Sequence, residues 1–365
     1  MRKVTLIFIA TVVMLALVGS FVSCAEPEPE PVTPTTPAAP AEPAAPAEPE
    51  PPAPPKEPVV LKLASAAMGN YTEGEQAYAD EFNARCGPDY TIEYYGNQEM
   101  LAFPEILDGV RTGAAEMGVV TPNFYSFDEP KLGAVETPFL LNNLDAHRYA
   151  VPKLMPLYAG ILENQFNQKL LALHNYTGMA LISTKPVKTL EDWDGLLVQA
   201  ISPVMASMIE ALGGAPVTGV PYTESYSMLE KGTVEGVITA PAAMRVFALP
   251  DVADYMTAAY MVPALHGFSI NLDAWNKLPK DIQDILVEVS VKHSDIIDQW
   301  VADEWITDHE AIVAGGVEIY YLSQAEVDKW KAACQPVIDE LLAQYGDFGA
   351  QVKAIADEAN AKFPN

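Results

Sequence analysis

Val59-Val60-Leu61-Lys62-Leu63-Ala64 opens the stretch whose reading decides the fold. It is short, β-branched and leucine-rich, and predicts a strand. Thr72-Glu73-Gly74-Glu75-Gln76-Ala77-Tyr78-Ala79-Asp80-Glu81-Phe82-Asn83 follows, with Ala77, Tyr78 and Phe82 at helical spacing. Tyr90-Thr91-Ile92-Glu93-Tyr94-Tyr95 alternates as a strand, residues 104–111 suit a helix stopped by Gly113, and Ala115-Glu116-Met117-Gly118-Val119-Val120 suits another strand. The order β-α-β-α-β implies a parallel, twisted sheet covered by helices. Ligands of such sheets bind beyond the carboxyl ends of the strands, here residues 65–71 and 121–125. Asn70, Tyr71, Asn123, Phe124 and Tyr125 are therefore candidate contacts, with aromatic faces and amides that suit a neutral ring or chain. Tyr125 is the foremost aromatic candidate; an Asn at a strand end is equally a turn former.

Further along, a second α/β set begins at Gly178. Met179-Ala180-Leu181-Ile182-Ser183 predicts a strand, 186–194 a turn region, Leu196-Leu197-Val198-Gln199 a strand, and 205–212 a helix ended by Gly213-Gly214. Ala215-Pro216-Val217, a helix over 222–231 stopped by Gly232, and the strand Gly236-Val237-Ile238 complete it. Residues 280–309 keep helical periodicity without Pro or Gly, which predicts one long helix. A helical segment over 324–362 closes the chain, and no internal repeat is present.

At the other end, Met1-Arg2-Lys3 precedes an apolar run over 4–22 that stops at Ser23-Cys24, the pattern of a secretory signal over 1–23. A run of this length is also long enough to span a bilayer. Cys24 decides, because its place resembles the bacterial lipobox, although Phe21 stands where Leu is usual; it is the expected lipid anchor. Residues 25–58 hold 14 prolines among Ala and Glu. Such a segment forms no core and predicts an extended tether, reaching up to roughly 100 Å at about 3.1 Å per residue. The expected location is periplasmic or extracytoplasmic, with the membrane touched only through the anchor.

Without Arg2, Lys3, Lys56 and the seven tether glutamates, 18 basic and 42 acidic side chains remain, a balance of −24. That surface repels nucleic acid and anionic lipid. Cys86 and Cys334 are the other thiols, and in an oxidising compartment they either bridge or stay buried and free. No His/Cys spacing suggests a metal, and no cofactor is expected. Gly-x-Ser-x-Gly and His-Glu-x-x-His are both missing, which disfavours an exported hydrolase without eliminating it.

Several ordered blocks resemble one family. Tyr95-Gly96-Asn97-Gln98-Glu99-Met100, the segment 105–119, and Pro138-Phe139-Leu140 are similar to the first domain of TRAP (tripartite ATP-independent periplasmic) solute-binding proteins of the DctP type. Lys185-Pro186-Val187-Lys188-Thr189-Leu190-Glu191-Asp192-Trp193-Asp194-Gly195, then 211–217, Tyr222-Thr223-Glu224-Ser225-Tyr226, 229–236 and 271–279 extend the resemblance over nearly all of 59–365. It implies a two-domain periplasmic binding protein-like α/β fold (type II), with crossing hinge strands and a long helix spanning both domains. Domain I would take 59–177 and 265–304, and domain II 178–264 and 305–365. The implied protein is a monomeric, non-enzymatic receptor that traps a small organic solute and delivers it to the TRAP membrane permease subunits. A ligand-presenting subunit of a membrane sensor is the alternative on the same fold.

The resemblance also implies an arginine clamp for a substrate carboxylate, and this chain departs from it. Gln199 stands at the clamp position and Ala180 at a second cationic position one strand earlier. A neutral amide does not replace a forked guanidinium, so the expected ligand is neutral or largely apolar. Arg245 is the candidate for a displaced cation, or else an exposed helix-end residue. By position in the family, Ser202 and Pro203 would line the cleft, Tyr222 would form an aromatic wall and Thr239 would face the ligand. Simple loop chemistry accounts equally for Ser-Pro, and core packing for Tyr222. His266, where the chain crosses back, would hydrogen-bond the ligand or serve the structure. Trp275 is assigned to the core.

Overall fold

The computed structural model describes residues 57–67, 71–126 and 128–364; the leader, Cys24, the tether to residue 56 and Asn70 lie outside the described residues. The opening elements follow the expected order: β1 (Val59–Ala64), α1 (Tyr71–Cys86), β2 (Tyr90–Tyr95), α2 (Ile106–Thr112) and β3 (Met117–Val120). β1 pairs in parallel with β2 along its whole length and with β3 through Leu63 and Ala64. Gly113 ends α2 at φ 78°, a left-handed geometry that costs a glycine little, and its N–H closes onto the last carbonyls of the helix.

The next helix, α3 (Leu144–Phe166), escapes the periodicity reading because Pro152 and Pro156 lie inside it. Each removes a backbone donor and would ordinarily break a helix. Here the Asn143 side chain accepts from Ala146 N, and Ala150, Val151, Leu154, Tyr158 and Leu162 bury a continuous face, so tertiary packing prevails over local propensity. β4 (Gln168–Ser183) is also longer than expected, running 16 residues without interruption. β5 (Leu197–Gln199), α4 (Pro203–Leu212), β6 (Ala215–Val217), α5 (Ser225–Glu230), β7 (Gly236–Thr239) and α6 (Pro241–Val246) form the second α/β set. β8 (Tyr255–Asn271) then returns antiparallel to β4, and α7 (Leu272–Lys277), α8 (Lys280–Ala314), β9 (Glu318–Tyr321), α9 (Gln324–Gln344) and α10 (Gly346–Lys362) complete the chain.

The strands make one sheet, ordered β2-β1-β3-β8-β4-β7-β5-β6, with β9 pairing β8. β4 and β8 are the two crossing strands, and together they carry the sheet from one α/β set to the other. Their register slips three times, between Leu170 and Ala172, Asn175 and Thr177, and Met179 and Leu181. Such irregularities add twist and bend to a long ribbon. Gly178 lies within the bent stretch, where a Cβ would meet the Tyr260 ring at 2.3 Å.

Helices cover both faces of each set. Leu61 and Leu63 of β1 pack with Tyr78 and Phe82 of α1 and with Leu286 and Val289 of α8; Tyr78 stacks on Phe268 at 4.3 Å between ring centroids. In the second set, α4 and α9 close one core around Trp193 and Trp330, which meet edge to face at 5.4 Å. α8 has 35 residues and runs about 52 Å at about 1.5 Å per residue. Its Ile282, Leu286 and Ile297 belong to the core of the first set and Ile312 to a core of the second, so the helix spans both. α10 returns to the first set: Val352, Ala356 and Ala359 pack beside Tyr158 of α3. The left-handed Gly346 (φ 57°) opens α10 after α9. Cys86 and Cys334 are both free and buried, in separate cores, so the bridged alternative is excluded.

Candidate ligand cavity

The carboxyl ends of the parallel strands converge on a cavity of about 950 Å³. From the first set come Ser65, Ala66 and Ala67 after β1, Tyr71 at the start of α1, Gln98, Phe103 and Pro104, and Thr121 and Asn123 after β3. From the second come residues 200–203 after β5, residues 218–223, and Thr239, Ala240, Ala242, Ala243, Val246 and Phe247 at the end of β7 and beyond. The crossing strands contribute Tyr176, Met179, Ala264 and His266.

The walls are mostly apolar and aromatic. Tyr71 donates its hydroxyl to the Tyr176 carbonyl at 3.0 Å, with the two rings 5.1 Å apart. Tyr176 stacks nearly parallel on His266 at 4.1 Å. Burial, and secondarily the neighbouring His174, hold His266 well below the usual histidine range, so the imidazole is neutral. Across the cavity Tyr222 meets Phe247 edge to face at 5.4 Å. None of the described lining residues is Arg, Lys, Asp or Glu.

Two buried acids stand behind the wall. Glu75 of α1 is buried, accepts from the Tyr94 hydroxyl at 2.7 Å and lies beside Ser65; burial pushes its carboxyl up to about 7. Glu136 is fully buried and accepts from Asn123 Nδ2 at 2.5 Å. Burial pushes it to about 7 as well, against the opposing effect of Ser202 and Asn123. Its Oε2 finds no donor in hydrogen-bonding geometry, although the Ser202 hydroxyl is near enough to favour the charged form. A carboxylate brought into this cavity would meet no cation on the described walls and two acids one residue behind them.

Of the residues singled out in the sequence, Tyr71, Asn123, Ser202, Pro203, Tyr222, Thr239 and His266 line the cavity. Phe124 lies in the turn after β3, beside the lining residue Asn123. Tyr125 points away: its hydroxyl accepts from Leu107 N at 2.8 Å and its ring packs in the α3 core. Residues 122–125 form a 3₁₀ turn, and at three residues per turn Asn123 and Tyr125 face different ways. Gln199 is buried and outside the lining, its amide held by Val220, Pro221 and Ser225. Ala180 is buried in the core of the second set. Arg245 is likewise outside the lining: its Nε donates to Asp308 on α8 at 2.5 Å, an ion pair that ties α6 to the long helix. Trp275 packs at the edge of the α1 core as expected.

Sequence reasoning missed Tyr176 and Met179, because no motif distinguishes the middle of a strand as a cavity floor. It also missed Ala242, Ala243, Val246 and Phe247, which the strand-end rule applied to β7 would have found.

An α/β sheet carried across two halves by a pair of long strands, with a large cavity where the strand ends meet, is the architecture of a small-molecule-binding protein. Residues 66–344 match the model of the bacterial extracellular solute-binding protein family 7, and the chain belongs to that family. The C4-dicarboxylate-binding periplasmic protein DctP of Rhodobacter capsulatus is 24% identical over 315 residues, 83% of this chain and 92% of the relative. The Bordetella pertussis extracytoplasmic solute receptor DctP7, which binds pyroglutamic acid, superposes with a TM-score of 0.76 at 19% identity, covering 82% of this chain and 99% of the other. A TRAP periplasmic solute binding protein of Ochrobactrum anthropi, its C-terminus bound in its ligand-binding pocket, gives 0.73 at 23% identity, covering 84% and 98%. The chain is thus an extracellular solute-binding protein of the DctP type, a family of binding proteins.

Proposed function

We propose that this receptor captures an uncharged, largely apolar organic solute and presents it to a TRAP permease while held at a membrane by a lipid on Cys24. The observation that carries the ligand chemistry is the absence of a charged side chain among the described lining residues. An anion moved from water into such a site, with Glu75 and Glu136 behind its walls, loses its hydration without gaining a counterion. An apolar solute loses little and gains burial against aromatic faces. Tyr71, Asn123, Ser202, Pro203, Tyr222, Thr239 and His266 are the contacts assigned to the solute.

Relatives are named for acids: C4-dicarboxylates in Rhodobacter capsulatus and pyroglutamic acid in Bordetella pertussis. In this protein those acids are expected to give no thermal shift at millimolar concentration. A cognate neutral solute at 100 times its dissociation constant adds about 2.7 kcal/mol of stability. Native mass spectrometry of protein purified without refolding identifies what co-purifies. Micromolar binding of either acid would overturn the reading. The anchor is tested separately, by loss of membrane retention in Cys24→Ser.

A further inference from the structure

Gln199 is only 1% exposed, one residue short of the cavity lining, and every hydrogen-bonding group of its amide is engaged. Nε2 carries two hydrogens and donates to the carbonyls of Val220 at 3.3 Å and Pro221 at 3.2 Å. Oε1 accepts from the Ser225 hydroxyl at 2.5 Å. No donor is left for a solute. All three partners fall within six residues of one segment, and that segment supplies Thr218, Val220, Pro221, Tyr222 and Thr223 to the cavity wall. It has no regular structure apart from one short 3₁₀ turn at Tyr222–Glu224 and its last residue, Ser225, which opens α5. Its own sequence therefore does little to hold it, and Gln199, on the rigid strand β5, ties it at three points.

We propose that Gln199 is a positioning residue: it acts on the solute only through the 218–225 segment, fixing Val220 and Tyr222 as an apolar wall. The inference rests on the reading of the cavity as the solute site. A side chain with two donors and one acceptor on a stem of this length meets both carbonyls and the hydroxyl at once. Gln199→Glu keeps the shape but sets a carboxylate oxygen against two carbonyl oxygens. Gln199→Met keeps the volume and removes all three bonds.

The test compares wild type, Gln199→Glu and Gln199→Met by hydrogen exchange and by binding of the uncharged dye Nile red at about 20 °C. Exchange of amides in 218–226 is expected to accelerate at least tenfold in either variant that folds, while amides of 203–212 stay within twofold. The dissociation constant for Nile red is expected to rise at least tenfold. Ile209→Ala, which opens a hole in the α4 core at a residue outside the cavity lining, controls for stability: it lowers Tm and leaves the Nile red constant within twofold. Unchanged exchange over 218–226 in both variants would overturn the proposal, as would equal loss of dye binding in Ile209→Ala. Should exchange respond as stated while wild type binds a carboxylate tightly, the wall assignment stands and the neutral-solute reading falls.

Discussion

Replacing Glu136 by glutamine tests the electrostatics of the cavity wall with almost no change of shape. The carboxyl is completely buried, and its pKa is raised from 4.5 to about 7, chiefly by burial. Because the folded value lies above the unfolded one, the neutral acid favours the fold, and its contribution is fully present below about pH 4.5. It is lost as pH rises to about 7, since folding must then retain a proton the unfolded chain has released. One proton corresponds to at most about 1.4 kcal/mol per pH unit, so the full span amounts to on the order of 3 kcal/mol. The glutamine amide of the variant is neutral at every pH, and its carbonyl still accepts from Asn123. Glu136→Gln is therefore expected to match wild type near pH 4.5 and to exceed it by on the order of 3 kcal/mol at about pH 8. Glu75 titrates in the same window but is present in both proteins and cancels. Urea denaturation at pH values from about 5 to about 8 measures the difference directly. A difference between variant and wild type that stays constant across that range would refute the assignment of a raised pKa to Glu136.

Arg245→Met removes the guanidinium from Asp308, which is almost fully buried, and is expected to destabilise by about 1–3 kcal/mol at about pH 8 and less at about pH 5, where the acid more readily takes a proton; binding of the co-purifying solute is unaffected, as calorimetry would show. Tyr125→Phe leaves Leu107 N, in the first turn of α2, without an acceptor and is expected to cost about 1–2 kcal/mol in urea denaturation with solute affinity unchanged. Cys86 and Cys334 are buried, and burial raises both thiols, Cys334 to about 12; Ellman's reagent should reach them only after unfolding, and reductant should leave Tm unaltered.

Local patterns made most of the α/β order legible. The alternation at 90–95, the helical spacing at 72–83, the glycine stops at 113 and 213 and the unbroken periodicity at 280–309 each correspond to an element of the structure, because each states a local preference that packing did not need to override. α3 was hidden by its two prolines, and β4 by the lack of any break between its halves: in both, the deciding energy lies in burial against distant residues.

For the site, the strand-end rule points to Tyr71 and Asn123, and both line the cavity, since backbone direction alone determines where a parallel strand points. It gave Tyr125 the same place, and only the 3₁₀ geometry of 122–125 sends that ring into the core. Sequence by itself established most of the order of elements and the acidity of the chain, and put Gln199 where the family resemblance implies a clamp arginine. Whether Gln199 faces a solute or a loop, whether Arg245 faces the cavity or Asp308, and whether two cysteines meet are relations between residues far apart in the chain. Those were decided only when β4, β8 and α8 brought the two α/β sets together, because side-chain direction and partner follow from tertiary packing and not from spacing.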